Sequence, residues 1–390
     1  MEDEAERERC RAIERHQSGE SAEAISASLG FSTRWFYKWL KRFQSGDPEW
    51  YRERSRRPHH SPSRTGPEVA WWVESTRRKL AADRQFSGAQ AILWELEDLN
   101  VVPLPSLRTI NRILARSDLP RRRNGPYVPK GKKYPSLKGE KAGDVHQSDF
   151  VGPLYLKGGY RFYSLNSVDL ATGRCATEPI VSKDSQSTVS ALWASWGRVG
   201  MPKHQQVDNE MSFYGSPRHP RGMGPLIRLS LLNGIEVWFI PMREPWRNGV
   251  VEKFNHVWQD RVLGQIRLAS EAELRRANLI FEGRHNGSHR YSKLGGKTPL
   301  QALREMNVKL RFPPEREAPR HPLPKPDRGR YHLIRFVRSD GRLNVFGEMF
   351  RAPLEATYEY VRLTVDVERQ RLGVFLDEKQ IDEHPYLLRN

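Results

Sequence analysis

Residues 145–151, Val-His-Gln-Ser-Asp-Phe-Val, form a strand-like run that carries one carboxylate, Asp149, just ahead of Gly152-Pro153. On a strand alternate residues share a face, so Asp149 lines up with Val145, Gln147 and Val151, while His146, Ser148 and Phe150 face the other way. A carboxylate among sheet residues is costly unless a cation or a donor sits beside it. Taken alone, Asp149 also fits a structural cap at a strand end. Two further acids change its meaning. Asp208 ends a second apolar run in Gln205-Gln206-Val207-Asp208-Asn209, and Glu252 lies in Asn248-Gly249-Val250-Val251-Glu252-Lys253-Phe254-Asn255.

The segments around these acids follow one order. A strand over 145–151, a turn at Lys157-Gly158-Gly159, a strand over 160–169, a turn at Thr172-Gly173 and a strand over 174–181 predict three antiparallel strands. A helix over 184–198 buries Val189, Leu192, Trp193 and Trp196, and a short strand then ends at Asp208. After a Gly/Pro-rich insertion over 214–224 come a short helix closed by Gly234, a strand over 235–240 and a long helix over 247–268. Three antiparallel strands followed by alternating helices and strands is the order of a ribonuclease H-like mixed sheet. On the long helix Val250, Val251, Phe254, Val257, Trp258 and Val262 make the buried stripe. Glu252, Asn255, His256 and Gln259 share the adjoining face.

The flanks have a different character. Residues 5–45 read as a helix-turn-helix: a helix to about His16, Ser21 as N-cap of a helix over 22–28 with Ala24, Ile25 and Leu29 at core spacing, a tight turn at Gly30, and a second helix from Thr33 to Gln44. Trp35, Phe36, Trp39, Leu40 and Phe43 make its apolar stripe, leaving Arg34, Lys38, Lys41 and Arg42 outside. Residues 66–119 repeat the pattern, with helices over 67–82, 89–98 and 107–115, Ser106 as an N-cap, and Leu107, Ile110, Ile113 and Leu114 as the buried face. This second unit reads as a second helix-turn-helix, so that two such units stand in tandem; a packing adaptor is the alternative for the second. Basic linkers over 51–65 and 120–142 separate these units from each other and from the core. A Pro- and Arg-rich connector over 304–329 leads to short strands over 330–378 that predict a small β-barrel. The chain is therefore read as multidomain, α and α/β.

Length and charge agree with that division. A chain of 390 residues exceeds one compact core. Its net charge of +18 calls for a polyanionic partner, and nucleic acid is the first candidate. With 11 Trp, 13 Tyr and 15 Phe the chain also has material for real cores. Cys10 and Cys175 are the only cysteines, too few for a disulfide framework or a thiolate zinc cluster. No run approaches the ~18 apolar residues of a membrane span. The start, Met1-Glu2-Asp3-Glu4, lacks an apolar export segment. A cytoplasmic, nucleoid-associated protein is expected.

Ser148-Asp149-Phe150, Val168-Asp169, Val207-Asp208-Asn209, Ile235–Pro241 and Asn248–Asn255, in this order and spacing, resemble the DDE integrase core shared by retroviral integrases and bacterial insertion-sequence transposases. His285-Asn286 and Leu294-Gly295-Gly296-Lys297-Thr298-Pro299 resemble the tail that follows this core, so the resemblance spans about 143–303. It implies a transposase that cleaves DNA at mobile-element ends and joins the 3′ hydroxyls to target DNA. It also implies that Asp149, Asp208 and Glu252 are catalytic and hold two Mg2+ or Mn2+ ions. Two divalent ions about 4 Å apart activate the attacking oxygen and stabilise the leaving one, and oxygen-only donors favour such hard cations over zinc. A homo-oligomer acting on double-stranded DNA follows, since two ends are joined at once. Expected DNA contacts are Arg34, Lys38, Lys41, Arg42, Arg54, Arg56, Arg57, Arg108, Arg121, Arg122, Arg123, Asn248, Lys253 and His256.

The sequence also departs from the family pattern. The 44 positions from Asp208 to Glu252 exceed the usual gap, which assigns the excess to the 214–224 insertion. Glu210 follows Asn209 where glycine is common, and His256 and Gln259 replace a basic residue beyond the glutamate. Asp169 and Glu210 are rival acids ranked below the chosen three. Two other readings compete: a transposase-derived DNA-binding regulator without catalysis, and a ribonuclease H-type nuclease acting on hybrids.

Overall fold

The computed structural model describes residues 2–54, 65–117, 119, 132–264 and 267–389. Arg56, Arg57, Arg121, Arg122 and Arg123, expected to meet DNA, lie outside the described residues. Two compact units result, Met1–Gly66 and Pro67–Asn390.

The first unit holds α1 (Glu2–Gln17), α2 (Ala22–Leu29) and α3 (Thr33–Gln44). The Ser21 side chain accepts from the Ala24 amide, and Gly30 takes φ 71°, the left-handed value a side chain disfavours. Ser32 caps α3 by accepting from the Trp35 amide. Ala12, Ile13, Ala22, Ile25 and Phe36 form the core, whereas Ala24, expected inside, is exposed. Ala22, at the helix start, takes the inward place instead. Trp39 is also buried, and its ring is covered by Arg9, Lys38 and Arg42 at 4.1, 4.5 and 4.5 Å from the centroid. Such cation–π packing sets the charged heads themselves over the indole face. Arg34 and Lys41 are exposed on α3, and Arg54 pairs with Asp47 at 2.9 Å.

The second unit opens with α4 (Pro67–Ala82), α5 (Ala89–Asp98) and α6 (Leu107–Arg116), packed on Val73, Leu80, Ile92, Leu96, Ile110 and Ile113. Ser106 caps α6 by accepting from the Thr109 amide. Leu107, expected in the buried face, is 39% exposed because it occupies the first turn, ahead of the packed stripe. Arg108 is exposed beside it.

The sheet follows: β1 (Val145–Tyr155), β2 (Arg161–Asp169) and β3 (Cys175–Ile180) are antiparallel neighbours, then α7 (Ser185–Val199) leads to β4 (His204–Val207), which pairs parallel with β1. Next come α8 (Met211–Tyr214), α9 (Pro225–Leu232), β5 (Glu236–Phe239) parallel to β4, and α10 (Gly249–Trp258). The strand order β3-β2-β1-β4-β5 is that of a ribonuclease H-like sheet. The alternation in β1 sorts its side chains as expected: Phe150 joins Leu165, Val189, Leu192 and Trp196 on one face, and Val151 joins Val168, Val251, Phe254 and Trp258 on the other.

Three expectations are corrected. The first strand does not stop at Gly152-Pro153; it continues to Tyr155 past a register shift. Gly152 takes φ 127° there, and a Cβ would come within 2.9 Å of the Tyr163 ring. The helix expected over 247–268 ends as α-helix at Trp258, passes into a π-helical turn over Gln259–Leu263, and is followed by a separate helix, α11 (Glu271–Gly287), capped by Ser270. A shorter helix, α12 (Pro299–Met306), starts in a capping box between Thr298 and Gln301.

The third correction concerns the barrel over 330–378. The strands are present as β6 (Arg330–Phe336), β7 (Arg342–Val345), β8 (Glu348–Arg351), β9 (Tyr360–Asp366), β10 (Arg371–Leu376) and β11 (Lys379–Pro385). They do not close on themselves. β6 pairs parallel with β5, and β9, β10 and β11 continue outward, giving one nine-stranded sheet with β7–β8 as a separate hairpin. Pairing covers the main-chain groups that β5 would otherwise leave open as an edge. Tyr331 and Leu333 on β6, and Val361, Leu363 and Val365 on β9, share the core of Val237 and Phe239. The 214–224 insertion belongs to this joint: Arg221 pairs with both oxygens of Glu348, and Tyr214 stacks on Phe346 at 4.2 Å.

Candidate active site

Asp149 on β1 and Asp208, one residue past β4, stand on adjacent parallel strands and share the sheet face toward α10. The start of α10 is fixed to that face by polar side chains. Gln147 Oε1 accepts the amides of Val250 and Val251, both at 3.2 Å. Asn248 Nδ2 donates to the Ser148 carbonyl, and Gln206 Nε2 donates to Asn248 Oδ1, each at 3.3 Å. A helix start leaves its first amides without intrahelical partners, and here a strand side chain satisfies two of them. Replacing Gln147 by Leu strands both amides, so the core should lose about 1–3 kcal/mol, read as a lower denaturation midpoint, with Gln147→Glu losing less.

Asn255 ties the helix face to the first acid. Its Nδ2 donates to Asp149 Oδ2 at 2.8 Å, while its Oδ1 accepts from Asn166 Nδ2 at 2.9 Å. Asn166 Oδ1 in turn accepts from the Ser164 hydroxyl at 2.7 Å. Residues three apart on a helix are surface neighbours. Glu252, three before Asn255, therefore lies on the same side of α10, near enough for its charge to act on Asp149.

The three acids are partly exposed and crowd one another. Burial first, then the charges of Asp208, Glu252 and Glu210, push the Asp149 carboxyl up to about 7. Burial and the charge of Glu210 raise Asp208 to about 6, against the bond from the Glu210 amide and the charge of Lys183. Burial also raises Glu252, partly offset by His256. Among the described residues, no three histidine, cysteine, aspartate or glutamate side chains are gathered tightly enough to grip an ion as they stand.

The rival acids have other employment. Asp169 is buried and accepts from the Gly143 and Thr172 amides and the Thr172 hydroxyl, each at 2.7 Å, with His146 3.4 Å away. Burial would raise it, but these partners, His146 foremost, hold it down to about 2. Glu210 is paired with Lys183. Of the surface residues expected around the site, Lys253 and His256 are exposed. Asn248 is only 2% exposed, its amide being used at the helix start, which corrects its assignment as a DNA contact.

Sequence reading left Asn255, Gln147 and Lys183 out of the site. Asn255 was legible in principle from its three-residue offset from Glu252, and Gln147 from its strand alternation with Asp149. Nothing in the sequence points to Lys183, which arrives from the β3–α7 loop.

The second helical unit rests on this core. Arg261 and Arg284 donate to the carbonyls of Gln85 and Asp83 at 2.9 and 3.0 Å, Arg290 pairs with Asp98 at 3.2 Å, and Gly296 faces the Trp94 ring. It thus has the packing role that its sequence allowed.

Residues 3–50 match the family model described as a Homeodomain-like domain. Among solved structures, the chain is similar to the HTLV-2 integrase catalytic core domain in complex with magnesium, in its dimeric form, at 19% identity and TM-score 0.33, over 43% of this chain and 99% of that one. The trimeric form of the same domain gives 18% identity, TM-score 0.33 and the same coverage. The simian T-cell lymphotropic virus intasome in complex with the PP2A regulatory subunit B56 gamma gives 14% identity and TM-score 0.39, over 74% of this chain and 91% of that one. At these scores the likeness adds nothing to what the strand order already sets. The chain carries a homeodomain-like helix-turn-helix domain and a ribonuclease H-like core with the strand order β3-β2-β1-β4-β5.

Proposed function

We propose that the chain is a DDE-type polynucleotidyl transferase that cuts DNA at the ends of a mobile element and joins the freed 3′ hydroxyls to target DNA. The observation that supports this best is the bond from Asn255 to Asp149, because it sets the Glu252 face of α10 over the strand ends that carry Asp149 and Asp208. An oxygen-only set of three acids, two of them raised first by burial and then by neighbouring carboxylates, fits hard divalent cations. Asp149, Asp208 and Glu252 would hold Mg2+ or Mn2+. When bound, such ions activate the attacking oxygen and neutralise the leaving one. Glu252 has to turn inward to complete the set. Asn255 and Gln147 keep the helix start and the first acid in register while it does so.

The helix-turn-helix supplies DNA binding, with α3 as the reading helix. Arg34, Lys38 and Lys41 are exposed on it, and Lys38 is also paired with Glu53 at 3.5 Å, which leaves Arg34 and Lys41 as the pair to change. Changing both to Ala should weaken duplex binding several-fold and reduce the salt slope of log affinity by about 2, measured by titration at several salt concentrations; an unchanged slope would place the DNA elsewhere.

The activity is tested with the full chain, Mg2+ and duplexes carrying the terminal repeats that flank its gene. Nicked ends bearing 3′ hydroxyls and strand-joined products are expected. Binding without either product would favour the non-catalytic regulator, and preferential cleavage of an RNA–DNA hybrid would favour the nuclease.

A further inference from the structure

Arg335, on β6, is 5% exposed and makes no ion pair among the described residues. Its Nε donates to the Asn344 carbonyl at 2.7 Å, its Nη1 to the Ile334 carbonyl at 2.9 Å, and its Nη2 to Asn209 Oδ1 at 3.0 Å. Burial lowers its guanidinium to about 9. A buried cation without a carboxylate partner is costly, and three oxygens of the surrounding chain hold this one. Its geometry points to another task. Asn209 follows Asp208 directly, and its Nδ2 donates to the Ile240 carbonyl at 2.6 Å, so this one amide is clamped between the end of β5 and Arg335.

A second clamp grips the segment that leads into α10. The Tyr360 hydroxyl, at the start of β9, donates to Glu244 Oε1 at 2.6 Å, and the other oxygen of Glu244 holds Arg247 Nε at 2.8 Å. The Arg247 guanidinium is stacked on Tyr134, 3.9 Å from its centroid. Its carbonyl accepts from Gln206 Nε2 at 3.3 Å. Residues 244–248 are the segment that leads into α10 and Glu252.

We propose that the C-terminal strands act as a latch on the catalytic loops, with Arg335 and Tyr360 as positioning residues that hold Asp208 through Asn209 and Glu252 through the 244–248 segment. The strands thereby belong to the active site as its rear wall. The assignment rests on the transferase reading for its consequence, while the clamps themselves are independent of it.

Asn209→Ala removes the first clamp without emptying the Arg335 pocket, and Tyr360→Phe removes the second while keeping the ring. Amide hydrogen exchange on the full chain should speed up about tenfold or more at 208–210 in the first variant and at 244–248 in the second, with α7 unchanged in both. In the nicking assay the Mg2+ concentration for half-maximal rate should rise about tenfold, more than the rate at saturating Mg2+ falls, and Asn209→Gln should recover part of the loss. Unchanged exchange at those segments, or a lower saturating rate with the same Mg2+ requirement, would overturn the latch. If the wild-type chain shows no metal-dependent nicking, the transferase reading falls and the exchange measurement alone decides the clamps.

Discussion

Asp149→Asn should lower Mg2+-dependent nicking by about a thousandfold or more while leaving duplex binding within about twofold. Asp149 would help to hold the divalent ion, which when bound would supply several kcal/mol of stabilisation where charge develops on the reacting phosphate, and each 1.36 kcal/mol is a factor of ten in rate. Asn keeps the size of the side chain, and its remaining carbonyl oxygen can still accept from Asn255 Nδ2, so the register of α10 against β1 should survive. The reading helix α3 belongs to the other compact unit, and its cations do not depend on Asp149. Asp208→Asn and Glu252→Gln should behave alike. Asp169→Asn should instead unsettle the turn after β2 and lower stability, because that carboxylate accepts three bonds at 2.7 Å. Full nicking by the Asp149 variant, at wild-type protein stability, would remove the acid from the chemistry.

How much of this was legible in the sequence depends on the range of the interaction that fixes each element. Short-range signals read well: Ser21, Ser106 and the alternation of β1 depend on neighbours within a few residues, and each is found as expected. Asp208 and Glu252 stand out at a strand end and a helix start, and Asp149 stands out as a carboxylate within an otherwise sheet-like run. Periodicity alone could not see the break after Trp258, since the apolar stripe runs on through Val262 while the backbone changes to a π-helical turn. The short strands after residue 330 look like a barrel from their turn spacing, yet whether a sheet closes or adds to a neighbour depends on which edge is open, and that edge, β5, lies nearly a hundred residues earlier. The insertion at 214–224 was visible as extra length. Its purpose, gripping Glu348 through Arg221, is a long-range pairing that no local pattern carries.

The metal-free protein should be more stable at pH 5 than at pH 8 through Asp149 and Asp208, and Mg2+ should reverse the difference. In the folded chain these carboxyls sit at about 7 and about 6, above the ordinary aspartate value of 3.8. The folded state therefore keeps protons that the unfolded chain has already released, and stability present below pH 4 is lost as pH rises through 7. A shift of one unit is 1.36 kcal/mol; with partial exposure and mutual coupling discounted, the pair should contribute about 2–4 kcal/mol to the change. Buried imidazoles work in the opposite sense. Burial lowers His285 to about 4 and His289 to about 3, and a third imidazole, the buried His332, is lowered in the same way, so their contribution is lost as pH falls below the usual imidazole range. The raw pH curve mixes all of these. Subtracting the curve of Asp149→Asn, which retains the imidazoles and lacks the carboxyl, isolates the acid term. In chelator at pH 8 that variant should melt a few degrees above the wild type, and saturating Mg2+ should stabilise the wild type but not the variant, by an amount that grows with metal concentration. Equal melting curves for the two proteins at pH 8, with and without Mg2+, would mean that Asp149 is neither crowded by its neighbours nor a metal ligand.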